Sequence, residues 1–145
     1  MITVTDSPDP DLLARLGDAL AAFNGADVGP ADRRALAVFL HEDGAMAGGL
    51  WGYTAWGWLY VQWLWLSEAA RGRGNAARLL SAAEAEAVAR GCHGAWIDSF
   101  NPVALRAYAR AGYAEFGRLE DFPPGRARVF LHKPLTPQPE TASTP

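Results

Sequence analysis

The spacing of apolar residues predicts one helix near the start of the chain. Between residues 9 and 23 the apolar side chains recur every three or four positions, as they do on one face of a helix. Asn24-Gly25 is predicted to end this helix, because both residues readily leave the helical conformation. Gly29-Pro30 then opens a polar segment, 29–34, that predicts a turn or a second short helix.

The period of the apolar pattern then changes, and three strands are predicted. They span residues 35–41, 45–53 and 58–66, with a hairpin turn at Asp43-Gly44 between the first two. The third strand is apolar almost without interruption, which is typical of a central strand buried on both faces. The pattern therefore predicts an antiparallel meander.

Alternating helices and strands are predicted after the meander. A helix at 77–90 precedes a strand at 95–100, and the succession strand, helix, strand predicts a parallel crossover. Asn101-Pro102 is a typical helix start, with asparagine as the N-cap and proline at the first helical position. The last predicted elements are that helix, to about residue 111, and two strands at 113–119 and 126–132.

These elements predict an α/β (α+β) fold with a mixed sheet: an antiparallel meander, then a parallel β-α-β crossover, with helices on both faces. A chain of 145 residues is long enough for one domain, which we place at residues 1–134. Residues 135–145 consist largely of proline, threonine, serine and glutamine, so they predict a disordered C-terminal tail.

Composition and charge exclude several classes of partner. A formal net charge of -3 leaves no basic excess, so we expect no nucleic acid partner. Residues 44–66 are uncharged, but their five glycines and five tryptophans fit paired strands better than a membrane-spanning helix. The first ten residues do not have the pattern of a signal peptide. We therefore expect a cytoplasmic protein without a membrane partner, and no metal site is predicted.

The single cysteine, Cys92, cannot form an internal disulfide, which suits a reducing compartment. We interpret it as a small buried residue rather than as an acyl-carrying nucleophile, because no base lies near it in the sequence.

The segment Arg71-Gly72-Arg73-Gly74-Asn75-Ala76 carries the clearest chemical signal of the chain. It joins a predicted strand to a predicted helix, so backbone N–H groups and the positive end of the helix dipole should meet there. Two arginines add full positive charges. The segment therefore predicts a phosphate-binding loop.

Two common phosphate-binding loops fit this segment poorly. A nucleoside triphosphatase loop needs a lysine before the helix, but the only lysine of the chain is Lys133. Gly72, Gly74 and Ala77 formally match a dinucleotide fingerprint, and Asp98 would pass as its ribose-binding acid. However, that loop belongs to a fold with two repeating halves, and here it follows an antiparallel meander.

A third loop type fits better. Arg71, Gly74 and Ala76 match the pattern Arg/Gln-x-x-Gly-x-Gly/Ala, and Asn101 and the run Ala-Leu-Arg-Ala-Tyr-Ala-Arg-Ala-Gly-Tyr at 104–113 follow about thirty residues later. With these two motifs the chain resembles the GCN5-related N-acetyltransferase (GNAT) superfamily, over roughly residues 35–131.

The resemblance implies a GNAT-like acyl-CoA N-acyltransferase fold and transfer of an acetyl group from acetyl-CoA to a primary amine of an unidentified acceptor in a ternary complex. It implies that Tyr108 protonates the departing thiolate and that Asn101 touches the cofactor. Backbone groups would bind the rest of acetyl-CoA. The pantetheine arm would be bound by the backbone groups of Leu64, Trp65 and Leu66. The pyrophosphate would be bound by the backbone groups of Arg71, Gly72, Arg73, Gly74, Asn75 and Ala76. A non-catalytic acyl-CoA-binding or interaction module on the same fold is the alternative.

The general base and the acceptor side are less well defined by the sequence. Gln62 stands where some family members have a strand glutamate, and it cannot act as a base. Asp98 is our first candidate, Glu120 and Asp121 are further ones, and a water relay is equally compatible. The tryptophans of the meander predict packing in the core and on the sheet face, or else an acceptor pocket or the contact of a homodimer: Trp51, Trp56, Trp58, Trp63 and Trp65.

Overall fold

The computed structural model of the protein describes residues 1–136, which divide into two compact units, residues 1–32 and the chain from Arg33 onward. The first unit contains helix α1, Pro10–Val28, which begins after the N-cap Asp9. The prediction that Asn24-Gly25 ends this helix is wrong. One glycine costs a helix only about 1 kcal/mol, so the helix continues to Val28. It stops before Gly29-Pro30, because proline disfavours a helical conformation of the residue before it.

The second unit is built on one six-stranded sheet. Its elements are β1 Arg34–Glu42, β2 Ala45–Ala55, β3 Trp58–Leu66, α2 Asn75–Ala89, β4 Gly94–Ser99, α3 Pro102–Arg110, β5 Ala114–Glu120 and β6 Ala127–Pro134. The strand order in the sheet is β1-β2-β3-β4-β6-β5. Helix α2 connects β3 to β4, and helix α3 connects β4 to β5.

The topology confirms the predicted mixed sheet. β1, β2 and β3 form the antiparallel meander, and β3 and β4 form the parallel pair of the crossover. β6 is antiparallel to both β4 and β5. The segment 29–33 forms no second helix, and a short 3-10 helix that the pattern did not predict lies at Glu68–Ala70.

One core holds this unit together, and it lies between the sheet and its two helices. Leu79 and Leu80 of α2 and Tyr108 of α3 pack in the same cluster as Leu59 and Ile97 of the central strands. Side chains alternate between the faces of a strand, so these buried residues all lie on one face. Both helices of this unit therefore cover the same face of the sheet.

The prediction that β3 is buried on both faces is wrong. Leu59 and Val61 are buried in the core, whereas Trp63 and Trp65, on the face away from the helices, are 65% and 52% exposed. The apolar pattern of β3 is continuous because aromatic residues occupy its accessible face. A strand that is buried on both faces would have the same pattern.

The end of the described chain is fixed to the sheet. Leu135 is buried, and its N–H donates to the carbonyl oxygen of His93 at 2.9 Å. The predicted tail lies otherwise almost entirely outside the described residues. Cys92 is buried in the core, and burial raises the pKa of its thiol. None of the helices within residues 1–136 is long and apolar enough to span a bilayer.

Candidate active site

β3 and β4 pair along only part of their length and then separate. Their last parallel pair is Val61 with Ile97, although β3 continues to Leu66 and β4 to Ser99. The two strands thus leave a gap between their carboxyl ends. A gap of this kind exposes backbone N–H and C=O groups that a sheet would otherwise pair, so it can accept an extended ligand.

A bulge in β3 explains where the strands separate. On β2, Gly52 pairs with Val61 while the residue before it pairs with Trp63, so Gln62 is the extra residue. A bulge bends its strand and increases the local twist. Glycine is required opposite the bulge, since a Cβ on Gly52 would lie 1.9 Å from the carbonyl oxygen of Tyr60.

A cleft of about 830 Å³ lies at this gap, on the helix side of the sheet. Three elements surround it: the diverging end of β3, the loop before α2, and α3. The cleft brings together every predicted cofactor-binding residue except Arg73, and Tyr108 as well. The residues concerned are Leu64, Trp65, Leu66, Arg71, Gly72, Gly74, Asn75, Ala76, Asn101 and Tyr108.

The loop before α2 presents backbone N–H groups to one end of the cleft. Gly74 is the N-cap of α2 with a φ of 77°, a left-handed conformation that glycine adopts without strain. The N–H groups that follow, including those of Asn75 and Ala76, have no acceptor in a preceding helical turn. A Cβ on Gly72 or Gly74 would meet no atom within 4 Å, so the loop borders open space. The arrangement is suited to an anion.

The side chain of Asn75 maintains the shape of this loop. It is 3% exposed, and its Nδ2 donates to the carbonyl oxygen of Ala70 at 2.9 Å. Its Oδ1 accepts from Nη1 of Arg78 at 3.0 Å. The side chain is therefore engaged within the protein, and its backbone N–H is the group that remains for a ligand.

The two arginines of the loop are placed differently. Arg71 lines the cleft, and its Nε donates to the carbonyl oxygen of Leu66 at 3.1 Å, which ties the loop to the end of β3. Arg73 is not among the residues that line the cleft, and its Nη1 lies 3.3 Å from Oε1 of Glu42. Arg110 of α3, which the sequence analysis did not single out, adds a cation to the cleft.

Asn101 caps α3 from the opposite side of the cleft. Its Oδ1 accepts from the N–H groups of Val103 at 2.9 Å and Ala104 at 3.2 Å, so the predicted N-cap is confirmed. Residues that the sequence analysis missed line this side of the cleft: Ser99, Val103, Ala104, Ala107 and Ala111. The small residues at 104, 107 and 111 repeat at helical spacing, which was the signal for a helix face that a ligand can approach closely.

Tyr108 is 5% exposed and lines the cleft. Burial, together with the negative charge of Asp98, raises its pKa to about 12. Its hydroxyl forms no hydrogen bond with the described residues, and none of their buried polar side-chain atoms lacks a partner, so the hydroxyl reaches accessible space. Tyr108 thus presents a protonated hydroxyl to the cleft at neutral pH.

Asp98 lies beside the gap, but on the face of the sheet away from the helices. Its side chain is 2% exposed. Oδ1 accepts from the hydroxyl of Tyr60 at 3.0 Å, and Oδ2 accepts from Nε of Arg128 at 2.6 Å. The pKa of Tyr60 is raised to about 12, mainly by burial and to a smaller extent by the hydrogen bond to Asp98. Both carboxylate oxygens are therefore occupied, and Asp98 would have to exchange a partner to take up a proton.

The other predicted base candidates lie away from the cleft. The side chain of Glu120 is 73% exposed, and its Oε1 lies 3.1 Å from Nε of Arg118. Asp121 follows it in the connection between β5 and β6 with a φ of 55°. Neither residue lines the cleft, and Asp98 does not line it either.

The tryptophans on the strands of the meander lie on the accessible face of the sheet, whereas Trp56 lies in the turn between β2 and β3. Trp51 and Trp63 are paired across β2 and β3, and their ring centroids are 6.3 Å apart. Trp65 lies farther along β3, on the segment that has separated from β4, and it borders the cleft at the gap. Packing on the sheet face is therefore confirmed for this pair, while an acceptor or dimer role for the tryptophans stays a prediction.

Comparison with known proteins gives consistent matches. The family model described as Acetyltransferase (GNAT) family matches residues 7–113. An acetyltransferase of Agrobacterium fabrum is 44% identical over 131 residues, 90% of this chain and 96% of that protein. Blasticidin-S acetyltransferase of Streptomyces morookaense is 40% identical over 95 residues, 65% of this chain and 70% of that protein. A crystal structure from Agrobacterium tumefaciens has a TM-score of 0.86 at 42% identity, covering 92% of this chain and 98% of its own.

Proposed function

The chain belongs to the GNAT family of acetyltransferases, and on this basis we propose that it transfers the acetyl group of acetyl-CoA to a primary amine by direct attack in a ternary complex. The observation that carries the proposal is the cleft itself. A phosphate-type loop, the diverging end of β3 and the Tyr108 hydroxyl all open into one space of about 830 Å³.

The residues present fit a CoA thioester. The open space at Gly72 and Gly74 leaves room for a pyrophosphate against the N–H groups that begin α2. Arg71 lies at the same end of the cleft and adds a positive charge. The diverging end of β3, at Leu64 and Leu66, offers backbone groups to the amide-bearing pantetheine arm. When bound, acetyl-CoA supplies an activated thioester.

The reaction requires two proton transfers, and a different residue carries out each of them, one on each side of the gap. The acceptor amine forms the new C–N bond, the C–S bond breaks, and Tyr108 donates its proton to the thiolate sulfur. Backbone N–H groups of β3 stabilise the negative charge that develops on the carbonyl oxygen. The amine also loses a proton, and we propose that Asp98 receives it, directly or through water, because Asp98 alone among the three predicted candidates lies beside the gap.

Amine-dependent release of CoA thiol tests the proposed function. We expect thiol release only with a primary amine, and intersecting initial-velocity patterns, since both substrates bind before transfer. The panel should include blasticidin S, because one relative is named for it. Parallel patterns would contradict direct attack. Thermal protection by CoA without turnover of any amine would favour the non-catalytic module, and protection by a dinucleotide alone would favour a nicotinamide enzyme.

The proposed role of Asp98 has its own test, which compares Asp98→Asn with Arg128→Gln. Each variant breaks the ion pair between Asp98 and Arg128. Because Arg128 is partly exposed, we expect each variant to lose no more than about 3 kcal/mol of stability, the lower limit for breaking a buried ion pair. Only Asp98→Asn removes the carboxylate. We expect its kcat to fall roughly 100-fold, whereas Arg128→Gln should keep a kcat much closer to that of the wild type. If both variants change kcat to the same extent, or if neither changes it, Asp98 has only a structural role.

A further inference from the structure

A second pocket lies on the face of the sheet away from the helices. Its volume is about 520 Å³, and it is lined by Trp58, Trp96, Phe116, Phe130 and His132. These side chains come from the four adjacent strands β3, β4, β6 and β5. None of them is part of the cleft described above. Aromatic lining with one polar ring is typical of a site for a small molecule.

The walls of this pocket are held in place by contacts between rings. Trp96 is stacked on Tyr60, with ring centroids 3.9 Å apart and an interplanar angle of 15°. Phe116 stands edge-on to His132 with centroids 5.2 Å apart, and Phe130 lies 6.4 Å from Phe116. A preformed aromatic pocket can bind a flat apolar group without a large cost for ordering its own side chains.

One end of the pocket adjoins the gap between β3 and β4. Phe130 pairs with Asp98 across β4 and β6, and Trp96 precedes Asp98 by two residues on the same face of β4. Asp98 directly follows Ile97, the last residue of β4 that pairs with β3. The charge of Asp98 also acts on Tyr108, which lies on the opposite face. Asp98 therefore lies between the aromatic pocket and the gap.

The pocket has no excess of positive or negative charge that would attract a highly charged ligand. Of its lining residues only His132 is titratable. The nearest ion pair, between Asp98 and Arg128, is balanced. A ligand body that fits is therefore apolar, and its polar end belongs at the Asp98 side, where the hydrogen-bonding groups lie.

We infer that this aromatic pocket holds the acceptor, and that the acceptor is a primary amine carried on a flat aromatic body. The inference rests on the proposed acetyl transfer. The ring of the acceptor lies among Trp96, Phe116 and Phe130, and its amine points past Asp98 into the gap. The amine then approaches from the face opposite Tyr108, so nucleophile and proton donor act from the two sides of the sheet.

The test compares 2-phenylethylamine with ethylamine as acceptors for the wild-type protein and for Phe116→Ala. Phe116 is 57% exposed, so its truncation should leave the fold intact. In the wild type we expect kcat/KM to be at least about tenfold higher for 2-phenylethylamine, since apolar pockets discriminate by such factors. Phe116→Ala should raise the KM for 2-phenylethylamine about tenfold, with little change in kcat or in the KM for acetyl-CoA.

Phe39→Ala is the matched control. Phe39 lies on the same face of the sheet and is 59% exposed, but it belongs to the edge strand β1, away from the pocket. It should leave every constant unchanged. Equal effects of the two variants, or an undiminished preference for the aromatic amine in Phe116→Ala, would overturn the inference. So would a change of oligomeric state in sedimentation that accompanies Phe116→Ala without a change in KM, because the pocket would then be a contact between copies.

A binding measurement separates this inference from the proposed function. Calorimetric titration of 2-phenylethylamine into the CoA-saturated protein should show binding that Phe116→Ala weakens about tenfold and Phe39→Ala does not. If the wild type binds the amine in this way but acetylates no amine, the proposed function fails and the pocket assignment stands. If amines are acetylated but 2-phenylethylamine does not bind at Phe116, the pocket assignment fails.

Discussion

Replacing Gly74 with valine is expected to abolish CoA binding and to leave the protein folded. Gly74 adopts a φ of 77° as the N-cap of α2, and a Cβ there would meet no atom within 4 Å. A Cβ at this position therefore clashes with no other part of the protein. It would instead occupy the space in front of the N–H groups that begin α2, where the pyrophosphate is proposed to bind.

The measurement is thermal unfolding with and without CoA. A ligand at 100 times its Kd stabilises the folded state by about 2.7 kcal/mol, which gives the wild type a clear rise in Tm. Gly74→Val should show no rise. It should also unfold at a somewhat lower temperature without ligand, because a left-handed conformation costs an L-residue about 1–2 kcal/mol.

Gly91→Val is the matched control for this strain. Gly91 follows the end of α2 with a φ of 85°, its Cβ would also meet no atom within 4 Å, and it does not line the cleft. We expect a similar loss of intrinsic stability and an unchanged response to CoA. A response to CoA that survives in Gly74→Val would place the phosphates elsewhere.

Replacing Tyr108 with phenylalanine is expected to lower kcat by roughly 100-fold, which is typical for the loss of a general acid. The KM for acetyl-CoA should stay within about threefold, because the ring still fills its place. A pKa near 12 keeps the hydroxyl protonated at neutral pH, so it can donate throughout that range. The wild-type rate should accordingly show no alkaline loss from Tyr108 until the pH approaches about 12.

Tyr113→Phe separates this effect from a general effect of removing a buried hydroxyl. Tyr113 is 3% exposed, and its hydroxyl donates to Oε2 of Glu84 at 2.9 Å. It does not line the cleft. Its replacement should reduce stability by about 1–3 kcal/mol, since Glu84 loses a partner, and should leave kcat unchanged. If Tyr108→Phe retains the wild-type kcat, Tyr108 has no part in the proton transfer.

The sequence predicted local structure well where a residue type leaves little choice. Asn101-Pro102 begins α3 as expected, because asparagine caps a helix and proline suits its first turn. The limits of β3 agree with the predicted 58–66. Gly25 misled the prediction, since a glycine inside a helix and a glycine after its end look alike until the tertiary structure distinguishes them.

The sequence also located the loop that is proposed to bind phosphate, because its spacing depends on backbone conformation and on neighbours along the chain. To recognise residues 71–76 as such a loop, the prediction needed only a strand before them and a helix after them. By contrast, which groups face one another across the sheet depends on strand order and register, and no local pattern encodes either. Pairing of β4 with β6 is what puts Arg128 against Asp98 and occupies the predicted base.

The pocket that is proposed for the acceptor likewise depends on strand order and register. The aromatic residues at 58, 96, 116, 130 and 132 are scattered along more than seventy positions and form one pocket only after four strands align. Similarly, the bulge at Gln62 decides where β3 leaves β4, and it is visible only in the register with β2. The sequence by itself thus determined the loop that is proposed to hold the acetyl donor, because that loop depends on local backbone geometry. Only the tertiary structure decided the proposed acceptor side, because that side is assembled from residues distant along the chain.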